Sequence, residues 1–307
     1  MNKVVISLAL IALIGAVAMV ASLWLVDRGA PTPETAEAAV FVGAGDIAEC
    51  PTQGDEETAM LLDEIVAENP DAVIYTTGDN AYQDGSYQEY LDCYEPSWGR
   101  HKSRTYPAVG NHEFKQTKAA GYHEYWGDRG GPFDRYYYSY DVESWHVVVL
   151  NSECHRVGCE FGSSDGDQVE WLEADLEASD ARCTIAIWHT PRWSSGRYSN
   201  DPEYDTLWRV LYDHGAEVVL NGHEHLYERF EPMNPDGEID ATRGIRQFTV
   251  GTGGGNLRGF DTIHPNSAAR GSEFGVLQFE LERDSFAWKF LAVDGTDFTD
   301  SGLATCH

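Results

Sequence analysis

Eight residues with metal-ligating or proton-carrying side chains stand at the ends of five apolar runs in this 307-residue chain. Asp46 follows VFVGAG, Asp79 follows VIYTTG with Tyr82 three residues on, and Asn111 and His112 follow YPAVG. His189 ends TIAIWH, and His223 and His225 follow VVLNG. Each has an ordinary reading alone. Gly-Asp after a strand is a common turn, and a single histidine on a strand is usually structural. His223 and His225 share a face simply because residues i and i+2 do so in a strand. The set is different, because ligands of open α/β sheets bind beyond the carboxyl ends of the strands, and every such end here offers a donor. Carboxylate, amide and imidazole donors without thiolates suit iron, manganese or zinc. So many donors exceed the need of one ion with open positions. Two ions sharing a carboxylate fit better, and such pairs act on phosphate esters or amide bonds. Tyr82, in the stretch TTGDNAY, is either a packed aromatic or aimed where Asp79 is aimed.

The elements that must position these residues alternate along the chain. AVFVGAGD, AVIYTTGD, YPAVGNHE, WHVVVLNS, TIAIWH and EVVLNGHEH read as strands. DEETAMLLDEIVAEN, DQVEWLEADLEAS and PEYDTLWRVLYDHG have helical spacing, the last ending at Gly215. Asp46, Asp79 and Asn111 stand about 33 residues apart, the length of one βαβ unit. From about Arg246 the chain turns strand-rich, with IRQFTVGTGGG, FGVLQFELE and FAWKFLAV. Strands and helices alternating before a strand-rich end predict an α/β fold with mixed sheets. The glycine-rich GTGGGNLRGF at 251–260 lacks the Lys-Ser/Thr of a phosphate-binding P-loop and reads as a structural turn.

A chain with 42% hydrophobic and 12% aromatic residues can bury a large core. Its net charge of −30 disfavours nucleic acid and anionic lipid surfaces as partners, so no nucleic-acid binding is expected. An anionic substrate would need a local positive centre. Residues 4–26 carry no charge and are long enough to span a bilayer, and a small-residue site, Ala36-Glu37-Ala38, follows a Pro-containing spacer. Export is therefore expected, with cleaved signal and retained membrane anchor both open. Residues 1–39 form this signal or anchor plus linker, and 40–307 one catalytic-size domain. Six cysteines (Cys50, Cys93, Cys154, Cys159, Cys183, Cys306) suit an oxidising compartment. Cys154 and Cys159 can close a local loop, while the other pairings stay open.

Five blocks carry a resemblance: GD at 45–46, GDNAY at 78–82, GNHE at 110–113, WH at 188–189 and GHEH at 222–225. In this order they resemble the calcineurin-like metallophosphoesterases. The resemblance implies a four-layer α/β/β/α sandwich, two mixed sheets flanked by helices, with a dinuclear metal centre. Most branches have Asp-x-His in the first block, whereas this chain reads Asp46-Ile47-Ala48. The purple acid phosphatase branch shows the same loss and supplies the tyrosine of GDxxY, here Tyr82. Carried over, the pattern assigns Asp46, Asp79, Tyr82 and His225 to the first metal. It assigns Asp79, Asn111, His189 and His223 to the second, with Asp79 bridging. The tyrosine implies Fe(III) at the first position, with Zn, Fe or Mn(II) at the second. The size is that of the small single-domain members.

The implied activity is hydrolysis of small phosphate monoesters by attack of a metal-bound hydroxide. A phosphodiester or nucleotide substrate at the same site is the near alternative, and a non-catalytic, metal-stabilised surface binding protein the distant one. His112 is expected to hydrogen-bond the phosphate or protonate the leaving oxygen, or else to orient Asn111. Arg192 either contacts phosphate or is an ordinary surface arginine. Glu113 and Glu224 are expected to orient neighbouring ligands. HTPRWSSGRYSND lacks the further histidine of many relatives, which leaves the leaving-group acid open.

Overall fold

The computed structural model describes residues 38–307, apart from 163, 164, 199 and 294. The apolar segment 4–26, on which the export and anchoring expectations rest, lies outside the described residues. Among the described residues no helix is long and apolar enough to cross a membrane.

Every apolar run becomes a strand. β1 (Ala39–Ala44), β3 (Val73–Thr76) and β5 (Thr105–Pro107) lie parallel and adjacent. They are extended by an antiparallel run of β13 (Gly275–Leu281), β14 (Ser285–Ala292) and β15 (Ser301–Thr305), in the order β15-β14-β13-β1-β3-β5. The two-residue strands β2 (Ala48–Glu49) and β4 (Ala81–Tyr82) pair only with each other. A second, seven-stranded sheet contains β6 (Tyr138–Val142), β7 (Trp145–Val149), β8 (Cys183–Ile187) and β9 (Val218–Asn221). It also contains β10 (Tyr227–Phe230), β11 (Arg246–Val250) and β12 (Ser267–Gly271), in the order β12-β10-β11-β9-β8-β7-β6. Both sheets are mixed, as expected. The strands that carry the site are parallel.

Those parallel strands read as unbroken apolar runs because both of their faces are buried. Along β7, β8 and β9 alternate side chains divide between two cores. Val147, Val149, Ile185, Ile187, Val218 and Leu220 join Phe41, Phe248 and Phe279 between the sheets. The rings of Phe248 and Phe279, one from each sheet, meet edge to face at 5.4 Å. Val148, Ala186, Trp188 and Val219 face outward instead, onto Leu172 of α4 (Asp167–Ala178) and Trp208 of α5 (Asp205–Asp213). α1 (Gly54–Glu68) packs Ala59, Leu62 and Ile65 against the first sheet, completing the four layers. Its Asp55, Glu56 and Glu57 all lie in the first turn, where negative charge meets the positive end of the helix dipole. Gly215, with φ 72, follows the last residues of α5 and ends that helix as read from sequence. α2 (Tyr87–Glu89) is a single turn closed by a Ser86–Glu89 capping box, and α3 (Ala120–Trp126) follows the third strand end.

Four strands, β6, β10, β12 and β15, carry no apolar run. They are held by backbone pairing with their neighbours, and where a polar side chain of theirs is buried it is paired inside the fold. Glu228 of β10, for instance, is fully buried and accepts hydrogen bonds from Ser195 and Ser267.

All six cysteines are paired, as Cys50–Cys93, Cys154–Cys159 and Cys183–Cys306. The local 154–159 loop is the one legible in sequence. The three bridges span 43, 5 and 123 residues. Loop-closure entropy then ranks their contributions at about 4, about 2 and about 5 kcal/mol. Replacing the cysteine pairs by serine one at a time, with thermal unfolding as the readout, should lower Tm most for Cys183–Cys306 and least for Cys154–Cys159. The reverse order would contradict this ranking.

Candidate metal centre

The site forms where the carboxyl ends of β1, β3 and β5 in one sheet meet those of β8 and β9 in the other. Three of its residues turn the chain with positive φ: Asp46 (57°), Asp79 (51°) and His223 (68°). Left-handed backbone is uncommon outside glycine, though Asp and His tolerate it better than most, and such strain clusters at functional sites. The glycines of the motifs are there because backbone runs against ligands. A Cβ on Gly110 would sit 2.3 Å from Asp79 Oδ1, on Gly222 2.6 Å from Asp46 Oδ2, and on Gly78 2.7 Å from His189 Nδ1. The first two motifs are laid side by side in parallel register, Ala48 opposite Ala81 and Glu49 opposite Tyr82. Tyr82 thereby arrives beside the first block, at whose third residue the histidine is missing.

The structure brings the predicted donors together in two overlapping groups. In the first, Tyr82 Oη donates to Asp46 Oδ1 at 2.7 Å and to Asp79 Oδ2 at 3.0 Å, and lies 3.2 Å from His225 Nε2. His225 Nε2 is 3.2 Å from Asp46 Oδ1. In the second, His189 Nε2 lies 3.3 Å from Asp79 Oδ2, 3.1 Å from Asn111 Oδ1 and 3.3 Å from His223 Nδ1. His223 Nδ1 is 2.9 Å from Asn111 Oδ1. Asp79 belongs to both groups. Separations of this size are what donors held roughly 2 Å from one central ion must have between themselves.

The chemistry of the donors fits cations. His189 places Nδ1 at 2.9 Å from the Thr77 carbonyl and His225 places Nδ1 at 2.8 Å from that of Asn256. Each ring thus donates outward and turns Nε2 inward, the usual arrangement of a ligating imidazole. Burial resists charge on His189, yet Asp79 beside it outweighs burial and lifts the ring to about 10. Burial, together with the His189 charge, lowers His223 to about 4. Burial also pushes up the Asp46 and Asp79 carboxyls, but His225 and His189 respectively hold them below the usual range. The Tyr82 phenol, 4% exposed, is raised well above 10 by burial and then by the two carboxylates. A cation held by Tyr82 and His189 would have to displace their protons, so its affinity would rise with pH.

The surrounding shell was only partly foreseen. Glu113 is fully buried and accepts from the backbone N–H groups of Asp79, Asn80 and Gly110, fixing the second motif to the third. Glu224 accepts from the Tyr198 N–H, so it holds the 196–198 turn and not a ligand ring. GTGGGNLRGF is a structural turn as read, and a close-packed one. Gly253 and Gly255 donate to the carbonyls of Gly45 and Asp46, and a Cβ on Gly251 would fall 2.6 Å from Asp46 Oδ2. The same segment supplies the Asn256 carbonyl that orients His225. The His112 ring is half-buried at the edge of the site, its Nε2 3.8 Å from Asp79 Oδ2 and its Nδ1 engaged by the Gln83 carbonyl and Lys115. Arg192 does not join the cluster. It is buried elsewhere, ion-paired with Asp205 and stacked 3.8 Å over the Trp193 ring. That contact removes it as a candidate for phosphate.

Residues 40–227 match the family model described as calcineurin-like phosphoesterase. Among curated relatives, purple acid phosphatase 21 of Arabidopsis thaliana is 34% identical over 149 residues, covering 45% of this chain and 32% of the relative. Purple acid phosphatase 18 of the same plant is 28% identical over 187 residues, covering 57% and 40%. The chain thus spans about a third to two fifths of the length of these relatives. Among solved structures, the fold is similar to a purple acid phosphatase from yellow lupin (Lupinus luteus) seeds. The TM-score is 0.71 at 17% identity, over 90% of this chain and 55% of that one. It is also similar to GAP50 of Plasmodium, with TM-score 0.67 at 15% identity over 88% and 90%. Fold, motif order and family match agree: the chain belongs to the calcineurin-like phosphoesterase family and resembles its purple acid phosphatases.

Proposed function

We propose that this protein is an exported phosphatase that hydrolyses small phosphate monoesters with a dinuclear metal centre. Asp46, Asp79, Tyr82 and His225 would hold Fe(III), and Asp79, Asn111, His189 and His223 would hold Zn, Fe or Mn(II). The observation that carries this reading is the pair of donor groups sharing Asp79, each with its donor atoms 2.7–3.3 Å from a neighbour. Bound ions would supply positive charge for the phosphate oxygens and acidify a water from 15.7 toward about 7. That positive charge is also what an anionic substrate needs inside a protein of net charge −30. The three disulfides suit an exported protein.

The chain's own groups divide the remaining tasks. Asn111 and Asp79 are kept in place by the two turns that Glu113 ties together. His112, with Nδ1 engaged on its far side, presents Nε2 to the site, where it would hold a proton against a phosphoryl or leaving-group oxygen. The test is turnover by the metal-replete mature protein on a monoester and a diester across pH. His112→Ala should lower kcat by roughly 10²-fold or more, the usual size of a general acid–base contribution, with metal content unchanged. Unaltered turnover would remove His112 from the mechanism, and hydrolysis of neither ester would favour a non-catalytic binding protein.

A further inference from the structure

The turn that Glu224 holds lies at the mouth of the metal centre. A Cβ on Gly196 would meet the Glu224 carboxyl carbon at 2.4 Å, so the chain passes directly over that buried carboxylate, which accepts the Tyr198 N–H. The turn thereby presents the Tyr198 ring 4.9 Å from the ring of His223, and leaves Tyr198 46% exposed. An aromatic side chain fixed beside a metal-ligating histidine, yet open to solvent, is a surface on which another ring can stack.

Two guanidinium groups flank that ring, Arg197 at 5.7 Å and Arg258 at 5.9 Å from its centroid. Arg258 comes from the glycine-rich segment. It donates through Nη1 to the His223 carbonyl at 3.2 Å, and its own N–H is bound to the His225 carbonyl at 2.8 Å. Among the described residues neither arginine has a carboxylate within ion-pairing distance, although the chain carries 51 acidic residues against 21 basic ones. Arginines not salt-bridged to a carboxylate beside an aromatic ring form a place for an anion that carries its own ring.

Resting on the phosphatase reading, we propose that Tyr198 and Arg258 form the leaving-group subsite of this centre and fit it to aryl phosphate monoesters. The leaving ring stacks on Tyr198, and Arg258 faces the phosphate end of the same substrate. Because Tyr198 adjoins His223, a ring stacked there is one joined to phosphorus through its bridging oxygen alone. A nucleoside base, held away by its ribose, reaches past it.

The test compares phenylphosphonate with methylphosphonate, which resist hydrolysis, by calorimetric binding to the metal-loaded protein. It runs alongside turnover of phenyl phosphate, glycerol phosphate and adenosine 5′-monophosphate. Wild type should bind phenylphosphonate about twofold to twelvefold more tightly than methylphosphonate, the range that one aromatic pair supplies. Tyr198→Ala should erase that preference and lower the phenyl-to-glycerol ratio of kcat/KM by a similar factor, while Tyr198→Phe restores both. Arg258→Ala should weaken both phosphonates. Equal affinity for the two phosphonates in wild type, or an unchanged ratio in Tyr198→Ala, would overturn the subsite. An equal dependence of adenosine monophosphate on Tyr198 would overturn the aryl class. Selective binding of phenylphosphonate with no turnover of any ester would sink the phosphatase reading and leave the subsite standing.

Discussion

Asp79→Asn should yield a folded protein that lacks both proposed metals and, with them, the proposed turnover. The substitution keeps the shape of the side chain. Asp79 Oδ1 accepts the His112 N–H at 2.8 Å, and that partly buried amide favours an acceptor, so asparagine turns its carbonyl there. The amide NH₂ is then left where Oδ2 now lies, 3.0 Å from Tyr82 Oη and 3.3 Å from His189 Nε2. A donor group facing both proposed ions cannot ligate either. Removing only an outer partner of a ligand costs about 10–100-fold in metal affinity. Losing the shared ligand should therefore cost more than roughly 100-fold at each position. Elemental analysis should find metal falling from two ions per chain toward none, with far-ultraviolet dichroism unchanged. Two ions retained by Asp79→Asn would refute the bridge, and one ion retained would show that the two positions do not share it.

Glu113→Ala should reduce the stability of the whole domain by at least about 3 kcal/mol, because each buried donor left without an acceptor costs roughly 1–3 kcal/mol. Oε2 accepts from the Asp79 and Gly110 amides at 3.1 and 2.7 Å, and Oε1 from the Asn80 amide at 2.7 Å and the Tyr90 hydroxyl at 3.0 Å. Alanine strands all four donors in a place no solvent reaches, since Glu113 is 0% exposed. Glutamine is not a repair, because its NH₂ must oppose the donors on one side. Denaturant unfolding of the two variants gives the check, and a loss under about 1 kcal/mol for Glu113→Ala would contradict it. The turn bearing Asp79 and Tyr82 is the one released, so metal affinity should fall as well.

Much of this arrangement was legible because parallel strands buried on both faces announce themselves. VFVGAG, VIYTTG, TIAIW and VVLNG each end in a glycine or tryptophan followed by a donor, and the sheet order brings those ends together. The exchange of a histidine at Ala48 for Tyr82 could be read because both lie within short motifs. Register is what makes the exchange geometrically sound, and register is visible only in the fold. Glu113 shows the limit. Its motif position was plain, but two of its partners, the Asp79 and Asn80 amides, lie 34 and 33 residues away, on a turn whose amides point inward only once β3 and β5 are paired. The two arginines show the same limit in reverse. Arg192 stands close in sequence to His189 yet is spent on Asp205 and Trp193. Arg258, in a segment with no chemical motif, comes to rest on the carbonyl of His223. The edge strands β12 and β15 leave no apolar signature because they bury little.

The central claim is that Tyr82 ligates a metal together with Asp46, Asp79 and His225. Its most direct test is the visible absorption spectrum of the iron-loaded protein, recorded for wild type and Tyr82→Phe. The wild type should show a tyrosinate-to-Fe(III) charge-transfer band, and Tyr82→Phe should lack it. Wild-type protein that holds Fe(III) without that band would contradict the claim and return Tyr82 to the role of a packed aromatic.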